Sequence, residues 1–152
     1  MKRFETRHTV AHSADDMFAL VADVESYPKF VPLCSALRVR SRKSDATGRE
    51  LVVADMTVAY KLIRETYTSR ILLDRAGLAI DVSNIDGPFK LLENTWRFVP
   101  VDETSCEVAF TLSYAFKSRT FEAVAGLVFD KAFGRFLEAF EQRADVVYGV
   151  RA

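Results

Sequence analysis

Apolar and polar residues alternate over most of the first three-quarters of the chain and then switch to a helical period. Phe4 to Ala11 reads as a strand, with Phe4, Thr6, His8 and Val10 on one side. Ser13 opens a Ser-x-x-Asp helix start that Asp16 answers, and Met17, Phe18, Leu20, Val21 and Val24 supply the apolar face of a short helix. A compact turn region follows over residues 26–34. Pro28 there suits the first turn of a second short helix, and Pro32 ends it. Strands are then predicted in close succession. Leu37 and Val39 alternate with Arg38, Arg40 and Arg42, and a hairpin loop at 44–48 leads into strands at 50–58, 62–73, 78–85, 90–99 and 106–116. The last of these sets Cys106, Val108, Phe110, Leu112, Tyr114 and Phe116 on one face. The connecting loops are too short for parallel crossovers.

The final thirty-odd residues read as one long helix. Phe129, Phe133, Phe136 and Phe140 fall at steps of four, three and four, and Val147 continues their line. Lys131, Arg135, Glu138, Gln142 and Asp145 take the other side. Such a helix reaches about 40 Å at ~1.5 Å per residue, enough to cross a sheet. With no internal repeat and no Gly/Pro-rich linker, residues 1–152 are expected to form a single domain. The fold class predicted is α+β of the helix-grip type: an antiparallel curved sheet of about seven strands wrapped around a long C-terminal helix, with two short helices after the first strand.

Composition narrows the function classes. The 21 basic and 21 acidic side chains cancel, so no global field draws the chain to DNA or anionic lipid. Cys34 and Cys106 form no CxxC or disulfide-dense pattern, which fits a reducing compartment. The charged start, Met1 to Glu5, leads into no apolar run of a signal peptide, and no stretch reaches the ~20 apolar residues of a membrane span. A cytoplasmic location is the expectation.

Several segments carry a family likeness. They are Asp23-Val24-Glu25-Ser26-Tyr27-Pro28-Lys29-Phe30-Val31-Pro32-Leu33-Cys34, Arg64-Glu65-Thr66-Tyr67-Thr68-Ser69-Arg70, and Asp86-Gly87-Pro88-Phe89-Lys90-Leu91-Leu92 with Trp96-Arg97-Phe98. The helical run from Phe129 to Glu141 is the last. Together they resemble the START-like superfamily of polyketide cyclases and lipid-transfer domains. Within it the nearer match is the coenzyme Q-binding branch, whose bacterial members include proteins described as ribosome-association toxins. Leu33 departs from that pattern, standing where many relatives carry Trp at the pocket mouth. The resemblance implies a carrier or chaperone for a polyprenyl quinone, serving electron transport rather than quinone synthesis. It implies no metal, no nucleotide and no covalent intermediate, hence no cofactor beyond a ubiquinone-like lipid as ligand.

The residues themselves allow this and its alternatives. The Phe stripe is by default core packing. Facing aromatics at Phe110, Tyr114, Phe116 and Trp96 or Phe98, with the small residues Ala125, Gly126, Ala132 and Ala144 in or beside the stripe, could interlock or leave a void. If a void exists, each methylene of a prenyl tail contributes about 0.8 kcal/mol, and the head group needs only one or two donors. Trp96, Tyr67 and Tyr114 are candidate donors, each equally readable as a satisfied core residue. The segment Tyr27 to Leu33 is either a lid or a hydrophobic plug. The candidate ligand-binding set is therefore Tyr27, Phe30, Val31, Leu33, Met56, Tyr67, Trp96, Phe98, Phe110, Leu112, Tyr114, Phe129, Phe133, Phe136 and Leu137.

Other groups carry less. Asp55 and Glu65 could serve acid/base chemistry, although carboxylates on such strands more often pair with arginines outside. Glu122 fits a helix N-terminus better than a cavity mouth. His8 and His12 lie about 13 Å apart along an extended chain, too far to share a metal. The Arg38, Arg40, Arg42, Lys43 stripe reads first as a charged strand face and second as a contact for lipid head groups or ribosomal RNA.

The leading expectation is a non-enzymatic binding protein for a ubiquinone-like lipid, touching the inner membrane peripherally. The alternatives are a ribosome-association toxin that blocks subunit joining and a polyketide aromatase/cyclase.

Overall fold

A computed structural model describes residues 2–150, and among them seven strands and three α-helices. Strand β1 (Lys2–Val10) leads into α1 (Ala14–Ala22) and a 3-10 turn (Val24–Lys29). Strands β2 (Cys34–Ser44), β3 (Glu50–Tyr60), β4 (Ile63–Asp74), β5 (Ala79–Asp86), β6 (Phe89–Asp102) and β7 (Ser105–Phe116) follow as a meander. Helices α2 (Arg119–Gly134) and α3 (Phe136–Tyr148) complete the chain. The sheet order is β1-β7-β6-β5-β4-β3-β2, with every neighbouring pair antiparallel. The helix-grip prediction holds.

Local chemistry accounts for the boundaries. Ser13 caps α1 by accepting a hydrogen bond from the Asp16 amide at 3.1 Å, and Ser118 caps α2 by accepting from the Phe121 amide at 3.1 Å. Register shifts between Val39 and Ser41, between Thr68 and Ser69, and between Phe89 and Leu91 bend the strands and curve the sheet. At the β5–β6 turn, Gly87 has φ +131, and a Cβ there would lie 2.5 Å from the Tyr67 Cβ. Only glycine lets that turn close onto β4.

The C-terminal helix differs from its prediction in one respect. It is not continuous: Arg135, at φ −105 and ψ 1, interrupts it, and its amide bonds back to Ala132 and Phe133. Phe129 and Phe133 are buried from α2, and Phe140 from α3. Beyond Phe140 the buried line runs through Ala144 to half-buried Tyr148, whereas Val147 is 48% exposed. The end of α3 is held by polar contacts to the N-terminal elements. His12 Nε2 lies 2.7 Å from Asp145 Oδ1, His8 Nε2 lies 3.0 Å from Glu141, and the Tyr148 hydroxyl donates to the Asp16 carbonyl at 3.0 Å. The two histidines are thus engaged with separate carboxylates of one helix.

Candidate functional site

The inward face of the sheet is paved unevenly. Under α2, Phe89 stands at the centre of an aromatic cluster, with Tyr67, Phe116 and Phe129 rings 5.2, 5.2 and 5.5 Å away and Tyr114 and Phe133 at 6.1 and 6.2 Å. The rings pack against one another there, edge-on or stacked. Under α3 the sheet presents small side chains instead. Ala54 of β3 and Ser69 of β4 are direct cross-strand partners, and both point inward. Met56, Tyr67 and Ile71 stand beside them, and Trp96, Leu92 and Leu112 close the far wall. The roof is made by Tyr27 and Val31 from the turn after α1, and by Phe133, Phe136 and Phe140 from the helices.

Between floor and roof lies a cavity of about 70 Å³. That is several times the roughly 10–15 Å³ a single water needs, and well below the ~300–1,000 Å³ of sites for drug-sized molecules. Its wall is apolar apart from Ser69, Asn94 and the phenols, and it carries no carboxylate, lysine, arginine or histidine. The roof is held by ring edges: Tyr27 and Phe30 meet Phe140 at 5.2 and 5.0 Å, nearly perpendicular in both cases.

Hydrogen bonding decides which polar groups remain for a ligand. Trp96 Nε1 donates to Asn94 Oδ1 at 2.8 Å, and the Asn94 amide donates to the Thr111 carbonyl at 2.8 Å. The Tyr114 hydroxyl donates to the Asp130 carboxylate, and the Tyr27 hydroxyl donates to the Val21 carbonyl at 2.5 Å. Tyr67 has only the Met56 sulfur at 3.4 Å, a weak acceptor. The Ser69 hydroxyl has no protein partner among the described residues. Of the three donors expected from sequence, Tyr67 alone is poorly engaged, and Ser69 joins it. Burial pushes the Tyr27 and Tyr67 phenols above their ordinary range, so both remain protonated donors.

Eight of the fifteen expected site residues line the cavity: Tyr27, Val31, Met56, Tyr67, Trp96, Leu112, Phe133 and Phe136. The other seven are placed elsewhere. Phe30 backs Tyr27 from outside, Leu33 lines an outer groove, and Leu137 lines another beside Phe4 and His8. Phe98 packs edge-on against Phe18 of α1 at 6.1 Å, and Phe110 lies behind Trp96 at 4.8 Å. Tyr114 and Phe129 belong to the Phe89 cluster. Alternation gives the face of a strand but not the position along the sheet, which is what separates these residues from the cavity. Sequence reasoning missed the small floor and several wall residues, among them Leu37, Ala54, Ser69, Asn94 and Phe140. The signal was present as inward-facing small residues on adjacent strands, but it needs the β3–β4 register to be seen.

The acid/base pair does not assemble. Asp55 pairs across to Thr68 on the outer face, where it accepts from the Thr68 hydroxyl at 2.6 Å and lies 3.7 Å from Arg40. Glu65 pairs with Val58 on the inward face. The two carboxylates are on opposite sides of the sheet, and neither lines the cavity. Glu122 is exposed in the first turn of α2. Among the described residues no group of three His, Cys, Asp or Glu could hold a metal ion.

The sequence profile of the family described as polyketide cyclase / dehydrase and lipid transport matches residues 10–141. The chain belongs to this family. It is 38% identical to the ribosome association toxin RatA of Vibrio cholerae over 149 residues, covering 98% of this chain and 99% of that protein. It is 32% identical to the mitochondrial coenzyme Q-binding protein COQ10 of Drosophila melanogaster over 142 residues, covering 91% of this chain and 57% of that one. A START superfamily protein from Mycobacterium smegmatis superposes with a TM-score of 0.77 at 18% identity, covering 95% and 98% of the two chains, a likeness of fold alone. The likeness to polyketide cyclases and lipid-transfer domains read from the sequence thus stands on the family match, and the relatives' names divide between a quinone and a ribosome.

Proposed function

We propose that this protein carries a polyprenyl quinone, or a lipid of like shape, between the sheet and the C-terminal helices, and that it acts without catalysing a reaction. The observation that carries the reading is the cavity over Ala54 and Ser69, walled by apolar side chains and equipped with two weakly engaged hydroxyls. A quinone ring has two carbonyl acceptors, and the Ser69 and Tyr67 hydroxyls are donors of matching number. The tail needs only apolar burial, at about 0.8 kcal/mol per methylene. With 70 Å³ of space, loading requires the roof of Tyr27, Val31, Phe136 and Phe140 to lift. Lifting it separates ring edges and gives up the Tyr27–Val21 hydrogen bond, a cost that the tail's burial must offset. A cyclase would need an acid or base matched to neutral pH at the ligand, and the cavity wall carries no carboxylate, histidine or lysine, only phenols that burial holds protonated. The name of the COQ10 relative supports the same ligand class.

Organic extraction of protein purified from quinone-producing cells, followed by mass spectrometry, tests this. The expected result is a stoichiometric prenyl quinone or related lipid, lost in Phe133→Asp. A wild-type extract free of such lipids refutes the reading.

A second reading, binding to a ribosomal subunit, is favoured by the 38% identity to a ribosome association toxin. The basic strand face offers it limited support. Arg42 is tied to Glu25 and Glu50 at 3.0 and 2.7 Å and Arg40 approaches Asp55, leaving Arg38 and Lys43 less engaged. Salt-sensitive cosedimentation with a subunit, abolished by neutralising Arg38, Arg40 and Arg42, is its expected result.

A further inference from the structure

One end of the helix–sheet sandwich exposes apolar side chains that ordinary surface chemistry does not explain. The β3–β4 hairpin turns on Lys61 and Leu62. Two-residue turns favour Asn-Gly, because their left-handed backbone suits residues with little or no Cβ penalty. Here Lys61 takes φ 54, and Leu62 projects wholly into solvent. Beside this hairpin the outward stripe of α2 carries Leu127, which shares a groove with Tyr60, and Val124 one turn earlier, 74% and 67% exposed. One turn further along the same stripe come Lys131 and then Arg135. Pro32 and Leu33 lie between hairpin and helix, joining Tyr60, Leu127, Lys131 and Arg135 in one groove. Leu33 also has a left-handed backbone, at φ 63, and its carbonyl accepts from the Ala59 amide at 3.0 Å, which ties the segment to the hairpin.

The charge of this groove is one-sided, with exposed Glu138 lining only the adjoining groove beside Arg135 and Pro32. The chain as a whole has equal numbers of acids and bases, yet the groove lining holds Lys131 and Arg135 and no carboxylate. Neither cation has an ion-pair partner among the described residues. Protruding leucines beside unpaired cations suit insertion of the apolar groups between acyl chains while the cations meet acidic head groups.

The groove also lies over the cavity. Val31 faces the cavity while Pro32 and Leu33 face the groove, and Phe133 and Phe136 face the cavity while Ala132 and Arg135 face the groove. A single layer of chain separates the two spaces, and it contains the break in the helix at Arg135. We infer that the face formed by the Lys61–Leu62 hairpin tip, the Pro32–Leu33 segment and the Val124–Arg135 stripe of α2 docks on an anionic lipid bilayer. Cargo passes between segment 31–33 and the α2–α3 junction. The route of the cargo rests on the lipid-carrier reading, while the docking is tested apart from it.

The experiment is flotation of the full chain with phosphatidylcholine vesicles, with and without about 30% phosphatidylglycerol, at constant salt. Binding is expected on the anionic vesicles and weak on the neutral ones. Leu62→Asp with Leu127→Asp should lower it at least about tenfold. Lys131→Ala and Arg135→Ala should each lower it about fivefold. Val101→Asp, at an exposed valine near the end of β6, serves as the control and should leave binding unchanged. Ser69→Leu, which fills the cavity, should float like wild type while losing extractable lipid. If wild type floats but yields no lipid, the docking stands and the carrier reading falls. The inference is overturned if wild type does not bind anionic vesicles, or if the leucine and control variants bind alike. It is equally overturned if the groove variants lose binding to ribosomal subunits and keep vesicle binding, which would assign the face to RNA.

Discussion

The two ends of the helix–sheet interface receive the same kind of side chain from above and differ in what lies below. At the α2 end, Phe129 and Phe133 descend onto Phe89, Tyr114 and Phe116, and the rings fill the space. At the α3 end, Phe136 and Phe140 descend toward Ala54 and Ser69, and a hollow remains. The helix stripe is therefore neutral about function. The floor decides whether aromatic rings make a core or a roof, because close packing depends on matching volumes across the interface.

The largest effect expected from this contrast is at the filled end. Phe89→Ala removes a ring that touches five others and should cost about 3–5 kcal/mol in denaturant unfolding. A loss below about 1 kcal/mol would mean that this end is not solid. Adding volume sharpens the comparison. Ala125→Leu, at a fully buried position on α2, should overpack and cost about 1–3 kcal/mol. Ala54→Val, over the hollow, should stay within about 1 kcal/mol of wild type or stabilise. Equal penalties at the two sites would remove the distinction.

The smallest effect is kinetic. Burial raises both Cys34 and Cys106 to about 11, leaving roughly one thiolate in ten thousand at pH 7. Labelling by a thiol reagent should therefore be slow at pH 7 and rise about tenfold per pH unit through pH 8–10. Once each rate is divided by the thiolate fraction taken from its own pH profile, the remaining difference between the two thiols reports access. Cys34 lies at the end of the roof segment and near Tyr27 and Tyr67, so it should label several-fold faster than Cys106. Identical rates would contradict a roof that opens more readily than the rest of the interface.

The fold was largely legible because strand alternation, short turns and the helical Phe spacing all agree on one arrangement. The break at Arg135 was not legible: no proline marks it, and Gly134, beside it, sits in an otherwise regular apolar pattern. Site residues were legible where a large side chain both faces inward and lies near the middle of the roof or floor, as with Trp96, Met56 and Phe133. Phe98 and Phe129 show the limit, since they share the inward face and pack at other points of the sheet. The alanines on the helices were ambiguous in sequence. In the structure Ala125, Ala132 and Ala144 are buried against neighbours, and the void comes from the strands. A cavity is made by what is missing between strands distant in sequence, and only their register reveals it.

Trp96 offers the most direct test, since it is the chain's single tryptophan and stands in the cavity wall. Titration with a short-tailed ubiquinone analogue, followed by Trp96 fluorescence, should give saturable quenching in wild type. The folded double variant Ala54→Val, Ser69→Val should show none beyond the linear collisional background. Quenching that is saturable and equal in both proteins, or absent from wild type, would contradict the account.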